Sequence, residues 1–257
     1  IIMGEVLAQC SPGIGGEMKQ AQVFIAVPEL IAWTIIAILI SYLFDRGISW
    51  LAKQRFPIHY NKHCSKQPVP KGNCDIRIRD ISYRYGSVLS HFSYTFEKGF
   101  IYGITAPSGT GKTTLLNLIG NILKPAQGEI ETDFKTGIAY VFQEPELLSQ
   151  LTIAENIALP LAAYLKKEIA FEQAISILQK MELDGFENRF PNELSFGQQQ
   201  RAAIARALTY PSPLLLMDEP FKGLDEALSR RIIKRIRERQ TENGQTILFT
   251  SHNRSEE

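Results

Sequence analysis

Several signals that would place a chain quickly are scarce in these 257 residues. Only three cysteines occur, Cys10, Cys64 and Cys74, and they form no CxxC pair. A disulfide scaffold is excluded, free thiols in a reducing compartment are expected, and the four histidines form no cluster that completes a metal site. Charge of one sign is also in short supply: 28 Lys and Arg offset 27 Asp and Glu, for a net charge of +1. That balance argues against a general nucleic-acid binder. There is no internal repeat and no low-complexity tract, and 44% hydrophobic with 21% charged residues excludes a disordered or collagen-like chain. Ile1-Ile2-Met3 lacks the basic start of a signal peptide, and Ser255-Glu256-Glu257 follows directly on a strand-like run. Both ends are read as truncations of a longer chain.

Charge is missing altogether from Leu30 to Phe44, an almost wholly apolar stretch of 15 residues. Extended back to Ala21 it becomes 24 residues with Glu29 as the one charge, which is long enough to cross a hydrocarbon core. Length alone leaves a buried soluble helix open. Acid is then missing from Arg46 to Cys74, which carries Arg46, Lys53, Arg55, Lys62, Lys66 and Lys71. A basic flank after an apolar span marks the cytoplasmic side of a membrane, and Trp33, Tyr42 and Trp50 stand where interfacial aromatics belong. Pro57, Pro68, Pro70 and Gly72 interrupt any periodicity between Phe56 and Asn73. The expected organisation is residues 1–56 with a membrane span at about 21–44, a linker at 57–73, and a separate domain over 74–257.

That domain reads as α/β. Asp75–Tyr85 and His91–Phe96 are strand-like, and Phe100–Ala106 is a compact apolar strand before a Gly-rich turn and a helix from near Lys112. Leu214–Met217 and Thr246–Thr250 are short apolar runs suited to a buried parallel sheet. Ala162 to Leu183 reads as helical, with Phe171, Ile175, Ile177 and Leu178 at helical spacing.

Between the predicted strand and helix lies Ala106-Pro107-Ser108-Gly109-Thr110-Gly111-Lys112-Thr113-Thr114, where a phosphate-binding loop belongs. Gly109 and Gly111 let backbone N–H groups turn toward a phosphate without a Cβ clash. Lys112 can reach the β- and γ-phosphates of ATP, and the Thr113 hydroxyl can bind Mg²⁺. Ala106 stands where the strict pattern has glycine, at a strand end that tolerates a methyl group. Pro213-Leu-Leu-Leu-Met-Asp218-Glu219 is an apolar strand running into two carboxylates, Asp218 for the Mg²⁺ shell and Glu219 to polarise an attacking water.

Leu194-Ser195-Phe196-Gly197-Gln198, followed by Gln199-Gln200-Arg201 and Ala-Arg206-Ala-Leu208, resembles the LSGGQ signature of ATP-binding-cassette (ABC) ATPases, with Phe196 in place of its most variable glycine. The family's other elements occur in order. Gln143 in Val141-Phe142-Gln143-Glu144-Pro145 looks like the Q-loop, Gly223-Leu224-Asp225 like the D-loop, and His252 like the switch histidine, while Tyr85 matches the aromatic that stacks on adenine. The resemblance covers about residues 74–257. It implies a P-loop NTPase fold with a RecA-like core and a helical subdomain, hydrolysis of ATP with Mg²⁺ held by Thr113, Gln143 and Asp218, and catalysis by Glu219 with His252 and Gln143. It also implies two cassettes packed head to tail, so that Ser195 and its helix N-terminus face the γ-phosphate held by the partner's Lys112 loop.

Residues Met3–Ala8, Pro12–Gly16 and the span down to Asp45-Arg46 resemble the end of a nitrate/sulfonate/taurine-type permease, and Gln143–Leu148 and Asp218–Asp225 resemble the ATPases of that group. The resemblance thus implies a permease-like transmembrane helix fused to an importer ATPase in the cytoplasmic membrane. Its partners would be a second cassette, a permease membrane domain and an extracytoplasmic solute-binding protein, with no nucleic acid. An exporter half, a soluble cassette acting in DNA repair or translation, and the accidental joining of two neighbouring genes stay open as alternatives.

Overall fold

The computed structural model describes residues 27–55, 58, 60, 75–83, 89–132 and 137–251. The chain divides into two compact units, Ile1–Pro57 and Ile58–Glu257.

In the first unit the described residues form helix α1, Val27–Arg55. Its 29 residues span about 43 Å at 1.5 Å per residue. The segment Ile31–Ile48 has a mean hydropathy of 1.6 with none of it buried. Leu43 and Phe44 are each 66% exposed. A helix that is apolar on all sides and uncovered is long and apolar enough to cross a membrane. Residues 21–26, where the sequence places the start of the span, lie outside the described residues.

The second unit holds two sheets. β1 (Ile76–Ser82) pairs antiparallel with β2 (Phe92–Phe96) and with β4 (Gln127–Glu131). The other sheet is parallel, in the order β3 (Ile101–Thr105), β7 (Thr246–Ser251), β6 (Leu214–Met217), β5 (Ala139–Val141). Leu214–Met217 and Thr246–Ser251 are buried throughout, as strands covered on both faces must be. One core joins Ile76, Ile78 and Ile81 of β1 to Leu115, Leu116, Leu118 and Ile119 of helix α2 (Lys112–Ile119) and to Leu214, Leu216 and Leu248. Each of these aliphatic side chains contributes about 1.5–3 kcal/mol on burial.

The helical insertion consists of α3 (Ile153–Ala158), α4 (Lys167–Lys180) and α5 (Phe196–Thr209). Thr152 caps α3 in a reciprocal pair with Glu155, which satisfies two otherwise orphaned N–H groups. Ile153, Ile157, Leu161, Leu178, Met181 and Ile204 meet in a second core. The helix read over 162–183 is shorter than expected, Lys167–Lys180, and its buried stripe is Ala170, Ala174, Ile177 and Leu178. Ile175 faces outward instead, because it lies off that stripe. Helix α6 (Glu226–Asn243) precedes β7 and ends on Gly244 in the left-handed region. Tyr60, assigned to the linker by sequence, packs on Phe171 of α4 with ring centroids 6.3 Å apart.

Candidate functional site

The parallel sheet gathers the site at its carboxyl edge, the usual place for ligands in open α/β sheets. The register sets Thr105 beside Ser251 and Met217 beside Phe249, so Asp218 follows at the level of Thr250. The loop after β3 and the carboxylates after β6 therefore flank the same strand, two strand spacings or about 10 Å apart.

After β3 the chain turns through Gly109 (φ 81°) and Gly111 (φ 96°), conformations that a side chain would strain. Gly111 stands at the N-terminus of α2, where no side chain caps the helix and no acid occupies the first turn. Uncapped N–H groups together with the positive end of the helix dipole make an anion cradle. Thr110 Oγ1 donates to the Pro107 carbonyl at 2.8 Å, which holds the turn closed. Lys112 is buried and its Nζ donates to the carbonyls of Ala106 (2.6 Å) and Pro107 (3.2 Å), so Ala106 serves the loop through its backbone. Ser108 and Thr113 are exposed and Thr114 is half-buried.

Asp218 is buried and accepts the Thr250 hydroxyl at 2.6 Å. The backbone N–H of Glu219 donates to the same Thr250 oxygen at 2.9 Å. Glu219 has a positive φ of 46°, a conformation costly for a non-glycine residue. Gln143 Nε2 donates to Glu219 Oε2 at 3.2 Å, joining the segment after β5 to the carboxylate after β6. Arg206 of α5 fixes that segment from behind, donating to the carbonyls of Glu146 (2.8 Å) and Pro145 (3.3 Å). Its burial lowers the guanidinium pKa from the ordinary value. Burial likewise pushes up the Tyr140 hydroxyl, with the nearby Asp218 charge adding to it.

Oxygen donors of the Asp218, Thr113 and Gln143 kind suit a hard divalent cation beside phosphate. With an uncapped helix start next to them, the residues present fit Mg²⁺ and a nucleotide phosphate chain.

Ser195 caps α5: its hydroxyl accepts the Gln198 N–H at 3.4 Å, and Gln198 Oε1 accepts the Ser195 N–H at 2.9 Å. Gln198 thus earns its place by closing a capping box. Leu194 is buried beneath this turn and Phe196 is half-buried. The glycines lie in close approach to the loop before α6. A Cβ on Gly197 would come within 2.7 Å of the Gly223 carbonyl, and one on Gly223 within 2.8 Å of Phe196 Cδ1. Leu224 is half-buried and Asp225 caps α6, accepting the Leu228 N–H at 2.9 Å.

The structure brings Gln143, Asp218 and Glu219 together and sets Ala106–Thr114 at the same sheet edge. Leu194–Gln198 lies against Leu224 and Asp225's loop. Tyr85 and His252 lie outside the described residues. Thr250 and Arg206 went unassigned in the sequence, although each stands inside a quoted motif. A hydroxyl residue in an apolar strand beside the acidic pair, and an arginine in an otherwise alanine-rich helix, were the available signals.

A glycine-bent loop opening a helix, a carboxylate pair after a buried strand two places along the sheet, and a capped helix in an inserted subdomain define a P-loop ATPase of the cassette type. Residues 89–222 match the family model described as ABC transporter. The chain is 38% identical over 187 residues to the thiamine import ATP-binding protein ThiQ of Shigella boydii serotype 4, covering 69% of this chain and 81% of that protein. The ThiQ of Escherichia coli O157:H7 matches to the same extent. Among solved structures, the dimeric ATP-binding cassette MJ0796 bound to ADP and Pi has 32% identity and a TM-score of 0.64, over 69% of this chain and 88% of that one. The protein cbiO1 of Clostridium perfringens, described as part of the ABC transporter complex cbiONQ, has 26% identity and a TM-score of 0.60, over 69% of this chain and 78% of that one. The chain belongs to the ABC transporter ATP-binding family, and it is an ATPase.

Proposed function

We propose that this chain is the ATPase of an importer in the cytoplasmic membrane, fused behind a permease-like helix and coupling ATP hydrolysis to uptake of a small solute. The observation that carries the reading is α1, uncovered and apolar over Ile31–Ile48, in one chain with a cassette ATPase. Import is supported by the likeness to ThiQ. The nitrate/sulfonate/taurine-type resemblance points to a small anion or organic solute. ThiQ names another solute, and the cassette handles ATP alone, so the solute class rests on the N-terminal resemblance. The proposed domain limits are 1–56, 57–73 and 74–257, with a second cassette, a permease domain and an extracytoplasmic binding protein as partners.

In this reading the N–H groups of 106–114 and the Lys112 ammonium hold the β- and γ-phosphates, and Tyr85 stacks on the adenine. Thr113, Asp218 and Gln143 would hold Mg²⁺, which when bound neutralises phosphate charge. Glu219 orients and polarises the attacking water, Gln143 reports on that carboxylate through its hydrogen bond, and His252 contacts the γ-phosphate. Ser195, Gly197 and the α5 N-terminus, with Leu224 and Asp225, complete the site of the partner cassette.

The test is an alkaline carbonate wash of isolated membranes. The full chain is expected to stay with the membrane and a version starting at Cys74 to be released. Release of both sinks the membrane reading and leaves the ATPase standing.

A further inference from the structure

The signature turn departs from its family at one residue, and the structure shows what that residue touches. Phe196 is the first residue of α5, immediately after the cap Ser195. Its ring lies over Gly223, so close that a Cβ there would stand 2.8 Å from Cδ1 and 3.3 Å from Cε1. Gly223 has φ +78°, so a side chain is disfavoured by conformation as well as by space. A Cβ on the next residue, Gly197, would meet the Gly223 carbonyl at 2.7 Å and Leu224 Cδ2 at 3.2 Å. The N-terminus of α5 and the loop before α6 therefore pack backbone against backbone, with the half-buried Phe196 ring against Gly223. That loop continues into Asp225, whose carboxylate fixes the start of α6.

We propose that Phe196 is a positioning residue that locks Ser195 to Leu224 and Asp225 within one chain, so that both reach the partner's nucleotide as a single rigid surface. This rests on the composite-site reading above. The contact of an aromatic ring with a glycine is short-range: a separation of about 1 Å already forfeits up to about half of its dispersion energy. Misplacement on that scale at a reacting centre costs up to ~10²-fold in rate. In the proposed reading the chain's own nucleotide is gripped by Lys112 and the 106–114 loop, which belong to a different element from Phe196.

The experiment compares full-length wild type with Phe196→Ala, Phe196→Tyr, Gly223→Ala and the double variant Phe196→Ala/Gly223→Ala, reading kcat, the KM for ATP and the thermal midpoint. Phe196→Ala is expected to lower kcat about 10-fold or more, with KM within about twofold and the midpoint little changed. Phe196→Tyr keeps the ring and is expected to retain wild-type turnover. Gly223→Ala should cost more in the wild-type background than in Phe196→Ala, where the ring it strikes is gone. Wild-type kcat in Phe196→Ala overturns the assignment, as does an equal cost of Gly223→Ala in both backgrounds. So does a kcat loss that merely follows a fall in midpoint and is not rescued by Phe196→Tyr. Ser195→Arg is measured alongside. Full turnover in that variant removes the composite site and the Phe196 role together, whereas its inactivation with wild-type turnover in Phe196→Ala overturns the Phe196 role alone.

Discussion

The Thr250 hydroxyl donates to Asp218 at 2.6 Å and accepts the N–H of Glu219 at 2.9 Å, so a single buried oxygen ties the Asp218 carboxylate to the Glu219 backbone. Thr250→Val keeps shape and removes that oxygen. It removes the oxygen that accepts from Glu219 and donates to Asp218, at a cost of about 1–3 kcal/mol, and loosens the hold on a strained backbone. Turnover is expected to fall about 10-fold or more, with Thr250→Ser close to wild type. Steady-state kinetics and thermal unfolding on the three proteins check this. Undiminished kcat in Thr250→Val removes the bridge from the mechanism.

Glu219 and Lys112 should fail differently. Glu219→Gln keeps the neighbouring Asp218 and Thr113 oxygens, so ATP should bind while hydrolysis drops ~10²–10⁴-fold. Lys112→Ala removes the ammonium now held by the Ala106 and Pro107 carbonyls, and nucleotide affinity itself should fall about 10–100-fold. Nucleotide titration and single-turnover hydrolysis separate the two. Wild-type turnover in Glu219→Gln would falsify its role as the group that polarises water.

Much of this site was legible because its chemistry is local in sequence. The 106–114 loop needs glycines two apart and a lysine at fixed offsets, and Leu214–Met217 announces a buried strand by having no polar residue before Asp218. Ser195 and Gln198 are three apart because a capping box requires it. What stayed hidden depends on contacts distant along the chain. Thr250 reaches Asp218 across 32 positions and Arg206 reaches Glu146 across 60, so neither partner could be read from spacing. The antiparallel sheet was unforeseen for a similar reason: β4 pairs with β1 through a short polar run, Gln127–Glu131, that shows no apolar alternation. Of the residues at helical spacing in α4, Ile177 and Leu178 are buried and Phe171 packs on the core, while Ile175 is exposed because Ala170 and Ala174 complete the buried stripe.

Arg206 is expected to matter for rate beyond its share in stability. Its planar fork satisfies two adjacent carbonyls just after Gln143, and Arg206→Lys, a point charge on a flexible stem, holds them less well. A loss of about 1.5–3 kcal/mol is expected from chemical denaturation. Because Gln143 hydrogen-bonds Glu219, kcat should fall while the KM for ATP holds. A stability loss without a change in kcat would confine Arg206 to the scaffold.

Gln200 is a different kind of buried polar group: fully buried in α5, with neither amide atom hydrogen-bonded. Such a group costs about 1–3 kcal/mol relative to an apolar one of the same shape. Gln200→Met, of similar length, should therefore raise the denaturation midpoint and leave turnover unchanged. A lowered midpoint would reveal a partner that Gln200 acquires in solution.

The composite site makes the sharpest demand on oligomeric state. Ser195 caps α5 by accepting the Gln198 N–H, which leaves its hydroxyl proton to be offered outward beside the helix N-terminus. One chain thus presents a phosphate loop and a signature that cannot both serve the same nucleotide if they face different partners. Glu219→Gln, blocked in hydrolysis, should accumulate the ATP-bound pair, and light scattering should show its mass approaching twice that of the nucleotide-free chain. Adding Ser195→Arg places a bulky cation where the partner's γ-phosphate would dock and should abolish that association while ATP still binds. Mixing Ser195→Arg chains with Lys112→Ala chains should restore part of the activity that each lacks alone, since one site of the mixed pair joins an intact loop to an intact signature. Steady hydrolysis by a strict monomer at every concentration would defeat the composite mechanism, because no second chain would then be needed to complete the site.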